Sequence, residues 1–149
     1  MTNFITAAKK HTGKWVGYYK YDNHPNYNSY YEVPFTIELE GGLFGRFKGT
    51  VQDDSEQGGM KEVGVISGYI YRGKISFKKK MPTFNAYTQS GEQLSDSIKH
   101  PTIYYKGIYD EREKKFHGTW LIQGGGSLQS KGNVYLKMKT SGTWAMTMF

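Results

Sequence analysis

A few charged residues beside predicted loops are the first candidates for chemistry in this sequence. Asp53 and Glu62 lie near the ends of two segments that alternate apolar and polar residues, and Lys79 lies near the end of the next. Strand parity turns these side chains toward an interior. A carboxylate and an amine at the mouth of a closed sheet can bind the charged head group of a ligand, or act as acid and base. Simple hydration beside loops explains the same pattern, so the sequence leaves both interpretations open.

Aromatic residues form the second set of candidates. Those predicted to point inward and to line a ligand pocket are Tyr19, Tyr21, Tyr31, Phe47, Phe77, Tyr105 and Trp120. Aromatic walls with a few hydroxyl groups combine apolar contact area with control of ligand orientation. Large rings can equally fill a small barrel, so the sequence does not decide between a cavity and a filled core.

Metal and nucleophilic chemistry are not predicted. The chain has no Cys, and no second ligand stands at zinc-site spacing from any of its four histidines, His11, His24, His100 and His117. We expect these histidines at the surface. The glycine-rich segment 124–127 lacks the Gly-Lys-Ser/Thr ending of a phosphate-binding loop, and it is predicted to be a hairpin loop. No catalytic residue, metal or cofactor is therefore expected.

The elements that must position these residues are strands. The 149 residues include 19 Gly, 13 Tyr and 8 Phe but only 4 Pro, and aromatic residues favour strands while Gly permits turns and bends. Alternation is most regular in residues 31–40, where every odd position is apolar. Similar alternation elsewhere predicts about nine strands, of which the last two cover residues 134–138 and 144–148.

Long predicted connections alternate with short ones along the chain. The long ones cover residues 22–29, 54–59, 81–101 and 124–132, and the short ones cover residues 41–42, 72–73, 110–115 and 140–142. Successive connections of an up-and-down meander fall at opposite ends, so the long ones share one end. Glycines recur at inward positions, where they allow a sheet to coil strongly. We therefore predict a closed barrel whose mouth is the end with the long loops.

A resemblance to a known group supports this fold. Gly13-Lys14-Trp15 at the head of the first strand resembles the Gly-x-Trp signature that opens lipocalin and avidin barrels. Residues 42–49, 73–77 and 118–122 are similar in order and spacing to avidin-like strands. The resemblance implies an all-β fold: one calycin-like, antiparallel up-and-down β-barrel of about 8–9 strands over residues 1–149, with Trp15 on its closed floor. The polar pattern by which avidins hold biotin has no counterpart, so biotin binding is not implied.

Charge and apolar patterning bear on partners and location. The net charge is +7, but the cations occur in ones and twos, with Lys78-Lys79-Lys80 as the densest run. Scattered cations are typical of a solvated surface, so nucleic acid is not expected as a partner. With neither a signal peptide nor an apolar stretch of about 18 residues, the sequence predicts a cytoplasmic protein without membrane contact.

Apolar residues also recur on the outward positions of the strands, and contiguous outer apolar patches usually mark an interface. A homodimer through the outer barrel face is therefore expected. The residues concerned are Val16, Tyr18, Val63, Val65, Tyr69, Tyr71, Tyr104, Ile108, Leu121 and Tyr135.

Three functions follow from these observations. The first is a binding protein that holds a small, partly apolar ligand in the open end of the barrel. The second is an interaction module with a packed barrel, which engages a protein or nucleic acid through its loops and basic surface. The third is a small barrel enzyme that uses Asp53 or Glu62.

Overall fold

Eight strands make up most of the residues that the structure describes. A computed structural model describes residues 4–22, 32–54, 63–81, 102–128 and 134–149. The strands are β1 (Gly13–Tyr21), β2 (Val33–Gly41), β3 (Arg46–Asp53), β4 (Gly64–Tyr71), β5 (Lys74–Lys80), β6 (Ile103–Asp110), β7 (Lys115–Leu128) and β8 (Val134–Met148). Three short 3-10 helices accompany them, at Phe4–Thr6, Lys9–His11 and Leu43–Gly45.

The strands form a closed barrel. Each strand pairs antiparallel with the next, and β8 pairs with β1 to complete the ring. This confirms the predicted fold class, an all-β antiparallel up-and-down barrel. Because the strands run alternately up and down, residues 42–45, 72–73 and 111–114 connect strands at one end, the short-turn end. At the other end, the long-loop end, β1, β3, β5 and β7 finish and β2, β4, β6 and β8 begin.

The prediction of two separate final strands is wrong. Residues 140–142, predicted as a turn, belong to β8, where Gly142 pairs with Trp120 on one side and Tyr21 on the other. The glycine serves a close approach instead of a turn, because a side chain on Gly142 would overlap the carbonyl oxygen of Lys20 and press on the Trp120 ring. The Ser-Gly pair thus lies inside one continuous strand, where the glycine lets neighbouring groups approach closely.

The predicted hairpin loop at residues 124–127 is also strand. Pairing between β6 and β7 ends at Ile103 and Ile122, and pairing between β1 and β8 ends at Tyr21 and Gly142. β7 and β8, however, continue to pair with each other as far as Leu128 and Val134. Residues 123–128 and 134–139 therefore form a two-stranded ribbon that projects beyond the barrel at the long-loop end.

The N-terminal segment closes the short-turn end. His11 is only 5% exposed, and its ring lies 5.1 Å from that of Phe116 and 5.4 Å from that of Tyr109. The indole Nε1 of Trp15 donates a hydrogen bond of 2.8 Å to the carbonyl oxygen of His11. The expectation that His11 lies at the surface is therefore wrong, because the chain folds back across the barrel before β1 begins.

Strand alternation divides the residues between a filled interior and an outer surface. Gly107 and Gly118 pair directly on the inner side of β6 and β7, and a side chain on Gly118 would overlap the carbonyl oxygen of Lys106. The Trp144 indole lies beside this pair, and its Nε1 donates to the carbonyl oxygens of Lys106 at 3.2 Å and Thr119 at 3.1 Å. The missing side chains let two strands and an indole meet in one layer of the core.

Gly118→Ala should destabilise the barrel by about 1–3 kcal/mol, because the new methyl group would overlap backbone atoms of the neighbouring strand, and these cannot move aside. The measurement is urea unfolding followed by tryptophan fluorescence. Gly42→Ala is the matched control, because a methyl group there comes no closer than 3.4 Å to its nearest neighbour, the carbonyl oxygen of Arg46. Equal stability losses in the two variants would contradict the close-approach argument.

Acid should weaken the short-turn end through His11. Burial, assisted by the charge of Lys10, lowers the pKa of His11 to about 4, so between pH 6.5 and 4 the unfolded chain binds a proton that the folded chain refuses. Stability should therefore fall by up to about 3 kcal/mol as the pH drops through this window. His11→Phe keeps a ring in place and should lose this part of the pH dependence in urea unfolding.

His117→Gln is the control for the pH experiment, since His117 lies on the outer side of β7 between the inward residues Phe116 and Gly118. The fall in stability that His11 causes between pH 6.5 and 4 should remain in this variant. Parallel profiles for the wild type and His11→Phe would show that His11 does not control acid stability.

Candidate functional site

A buried ion pair lies inside the barrel near the long-loop end. Asp53 is the last residue of β3, and Lys79 lies one residue before the end of β5. β4 runs between these two strands, so the lysine side chain spans it on the inner side. The Nζ atom of Lys79 lies 2.9 Å from both carboxylate oxygens of Asp53.

The pair is removed from solvent. Asp53 is 5% exposed and Lys79 is 3% exposed, so the interpretation that these residues are simply hydrated is wrong for both. The alternation of apolar and polar residues predicted that both side chains point inward, but it carried no information about what covers them. Each charge that leaves water loses several kcal/mol of hydration free energy. The attraction between the two charges roughly offsets this loss only if their geometry is good.

A tyrosine adds a hydrogen bond to the pair. The hydroxyl group of Tyr19 donates to Oδ2 of Asp53 at 3.4 Å, and the Lys79 ammonium lies 5.6 Å from the centre of the Tyr19 ring. Burial, together with the negative charge of Asp53, raises the pKa of both the Tyr19 and Tyr105 hydroxyl groups above the ordinary value. Both hydroxyls therefore stay protonated, and that of Tyr19 donates to Asp53.

Aromatic rings surround the polar group. Tyr105 stacks face to face on Phe77 with ring centres 4.6 Å apart, and Phe47 meets Phe77 edge-on at 5.8 Å. Trp120 packs edge-on against Tyr21 at 5.1 Å and Tyr19 at 5.9 Å. The rings form one connected wall around the inside of the barrel.

The polar atom of Trp120 is already engaged by the backbone of neighbouring strands. Its Nε1 donates to the carbonyl oxygens of Lys20, at 3.0 Å, and Thr143, at 3.2 Å, where the missing side chain of Gly142 lets the indole approach β1 and β8. Trp120 therefore offers a ligand only the surface of its ring.

The interior below the ion pair is filled. A void of only about 10 Å³ lies there among Phe35, Ile66, Phe77, Lys79 and Tyr105, which is room for about one water molecule. Any ligand that contacts the pair must therefore approach from the long-loop end. Two further predicted ligand contacts, Tyr31 and Glu62, lie outside the described residues.

One wall residue was absent from the predicted site. Trp144 is 2% exposed and meets Phe77 edge-on at 5.4 Å and Tyr105 at 5.9 Å. Its alternation with Met146 and Met148 predicted an inward position, but strand parity alone does not say which inward residues of distant strands meet. Trp15, predicted to lie on the floor, is at the opposite end, 5.3 Å from Phe116.

Comparisons and searches add few constraints. No protein-family model, curated protein or solved structure matches this chain. Within the described ranges, no three His, Asp or Glu side chains group so that they could hold a metal ion. No helix among those residues is long and apolar enough to cross a membrane. The geometry of the barrel itself is therefore the basis for inferring a function.

Lys79→Met should cost about 3–5 kcal/mol of stability, because it leaves the Asp53 carboxylate buried without its cation. The double variant Asp53→Asn with Lys79→Met should cost less than the sum of the two single changes, since it buries no charge. Urea unfolding of all four proteins gives the coupling energy of the pair.

The exposed pair of Glu111 and Lys114, whose charged atoms lie 3.7 Å apart, is the control. Its coupling, measured with Glu111→Gln and Lys114→Met, should stay below about 0.5 kcal/mol. A coupling between Asp53 and Lys79 no larger than this would mean that water reaches the buried pair.

Proposed function

We propose that this protein binds a small, partly apolar ligand at the long-loop end of the barrel, on top of the Asp53–Lys79 pair. The buried pair is the observation that carries the proposal. A buried ion pair adds little stability over apolar residues of similar volume, so stability alone is a weak reason to keep it. Recognition of the polar group of a ligand would give the Asp53–Lys79 pair a function.

The chemistry of the pair indicates the kind of ligand. Lys79 and Asp53 have opposite charges and together carry none, so a ligand with a net charge gains little from them. A neutral head group with both a donor and an acceptor, such as an amide, suits a site that holds an ammonium group, a carboxylate and tyrosine hydroxyls. The half-buried ring of Tyr21 beside Trp120 offers contact area for an apolar body.

The proposal includes a calycin-like relationship of the avidin and lipocalin type. Its support is the closed eight-stranded meander together with Gly13-Lys14-Trp15 at the start of β1, where the Trp15 side chain is 1% exposed at the short-turn end. In such barrels the interior beneath the loops is the natural ligand site.

The filled lower barrel favours a second candidate, an interaction module with no internal ligand. Its support is the void of about 10 Å³, because a barrel that held its ligand deep inside would leave a larger space. The two candidates differ in whether the Asp53–Lys79 pair contacts a ligand.

The test is a thermal-shift screen of the full chain against neutral amphiphiles, such as fatty amides and monoacylglycerols. A compound present at about 100 times its dissociation constant adds about 2.7 kcal/mol to stability, which raises the melting temperature by several degrees. The double variant Asp53→Asn with Lys79→Met should remain folded and lose this shift.

The control is the double variant Glu111→Gln with Lys114→Met, which changes a pair in the connection at the short-turn end and should keep the full shift. A shift that survives in the Asp53 and Lys79 double variant would place the ligand elsewhere. Absence of any shift across the series would favour the interaction module.

A further inference from the structure

Folding gathers cations that are scattered in the sequence onto one side of the barrel. The outward side chains of β3, β5 and β6 include six exposed cations, which we call the basic face: Arg46, Lys48, Lys74, Lys78, Lys80 and Lys106. Among the outward positions of β3 to β6, Asp110 at the short-turn end is the one carboxylate. The outer side of β2 carries Glu38 and Glu40 instead.

Strand register explains how the basic face forms. Arg46 pairs across to Tyr69, which pairs to Ser76 and then to Lys106. Paired residues of neighbouring strands lie about 5 Å apart, and alternate residues of one strand lie about 6.7 Å apart. Arg46 and Lys106, 60 positions apart in sequence, thus lie on one face about 15 Å apart, which the linear pattern of ones and twos conceals.

Exposed tyrosines stand between these cations. Tyr69 is 54% exposed and Tyr104 is 57% exposed. The guanidinium group of Arg46 lies 5.9 Å from the Tyr69 ring, and Tyr104 pairs with Lys78. Each ring therefore has a cation as its neighbour.

A shallow groove of about 690 Å³ crosses the short-turn part of this face, from β4 to β7. Its sides include Tyr69, Lys74, Lys106 and Ile108, and the backbone of Gly107 contributes to its lining. The surface that faces the groove is mostly apolar, with cations at its edges. The groove thus offers apolar contact and positive charge to the same partner.

We propose that the basic face binds single-stranded nucleic acid. The phosphates would lie along the cations, and unpaired bases would stack on Tyr69 and Tyr104. Stacking on aromatic side chains inside a positively charged groove is the general way in which proteins bind single strands without regard to sequence. The net charge of +7 favours the approach of any polyanion.

The same features disfavour the other occupants. A symmetric dimer through this face would set Arg46, Lys78 and Lys106 of one copy against the same cations of the other. An acidic polypeptide would pair with the cations but leave the tyrosine rings without a stacking partner. A duplex keeps its bases paired, so the rings could not stack on them.

The test is fluorescence anisotropy of the full chain with a labelled 12-nucleotide oligothymidine, between 50 and 200 mM KCl. We expect saturable binding that weakens with salt, with a slope of log K against log salt of about −0.7 for each phosphate contacted. A duplex of the same length should bind more weakly. Tyr69→Ala and Tyr104→Ala should each weaken single-strand binding about five- to hundredfold, while Tyr69→Phe should keep most of it.

Variants of Lys14 and Tyr18 on β1 are the matched controls for variants on the basic face. Lys78→Gln should reduce the salt slope by about 0.7, whereas Lys14→Gln, an exposed cation on the outer side of β1, should leave binding unchanged. Tyr18→Ala, on the same outer side of β1, should also bind as the wild type does. The double variant Asp53→Asn with Lys79→Met should keep single-strand binding, which makes this proposal independent of the ligand site.

Three results would overturn the proposal. The first is no binding at 50 mM KCl. The second is equal binding of the oligonucleotide, its duplex and polyglutamate, with no loss in Tyr69→Ala, which would identify a purely electrostatic surface. The third is a dimer in sedimentation that Tyr69→Ala dissociates, which would assign the face to a second copy of the chain.

Discussion

Pairing of β8 with β1 is the constraint on which the rest of the structure depends. This pairing runs from Met148 opposite Trp15 to Gly142 opposite Tyr21, and it removes the two open edges that a flat sheet would have. Once the ring is closed, strand parity alone decides whether a side chain lies inside or outside. The same rule places Lys79 in the interior and its neighbours Lys78 and Lys80 on the surface. Of three consecutive lysines, one is thus buried and two are exposed to solvent.

Closure of so narrow a ring requires that some inward positions have no side chain. Gly107, Gly118 and Gly142 meet the neighbouring backbone directly, and the indoles of Trp144 and Trp120 lie beside them, with each Nε1 shared between two carbonyl oxygens. A buried donor without a partner would cost about 1–3 kcal/mol, so these bonds fix the orientation of both rings. The aromatic wall around the ion pair is therefore held in place by hydrogen bonds to the backbone of the barrel.

Period-two alternation predicted the fold class and the inward direction of Tyr19, Phe47 and Lys79, because alternation is a local property of a strand. Features that depend on distant pairing were not predictable in the same way. His11 is buried because the N-terminal segment lies across the barrel, which no local pattern encodes. The basic face arises from the register of β3 to β6, and Arg46 reaches Lys106 only through two intervening strands. A Ser-Gly pair predicted as a turn lies inside a strand, because Gly serves a close approach as well as a turn.

The ribbon formed by residues 123–128 and 134–139 differs from the barrel in how its hydrogen bonds are protected. Inside the ring every strand has two neighbours, whereas beyond Ile122 and Thr140 the paired residues continue in β7 and β8 alone. Two strands without a third are only marginally stable in water. Amide hydrogens of the ribbon should therefore exchange with solvent through local opening, while those of the ring exchange only when the barrel unfolds. One pair of strands thus spans two cooperative units, and the boundary between them coincides with the rim of the barrel.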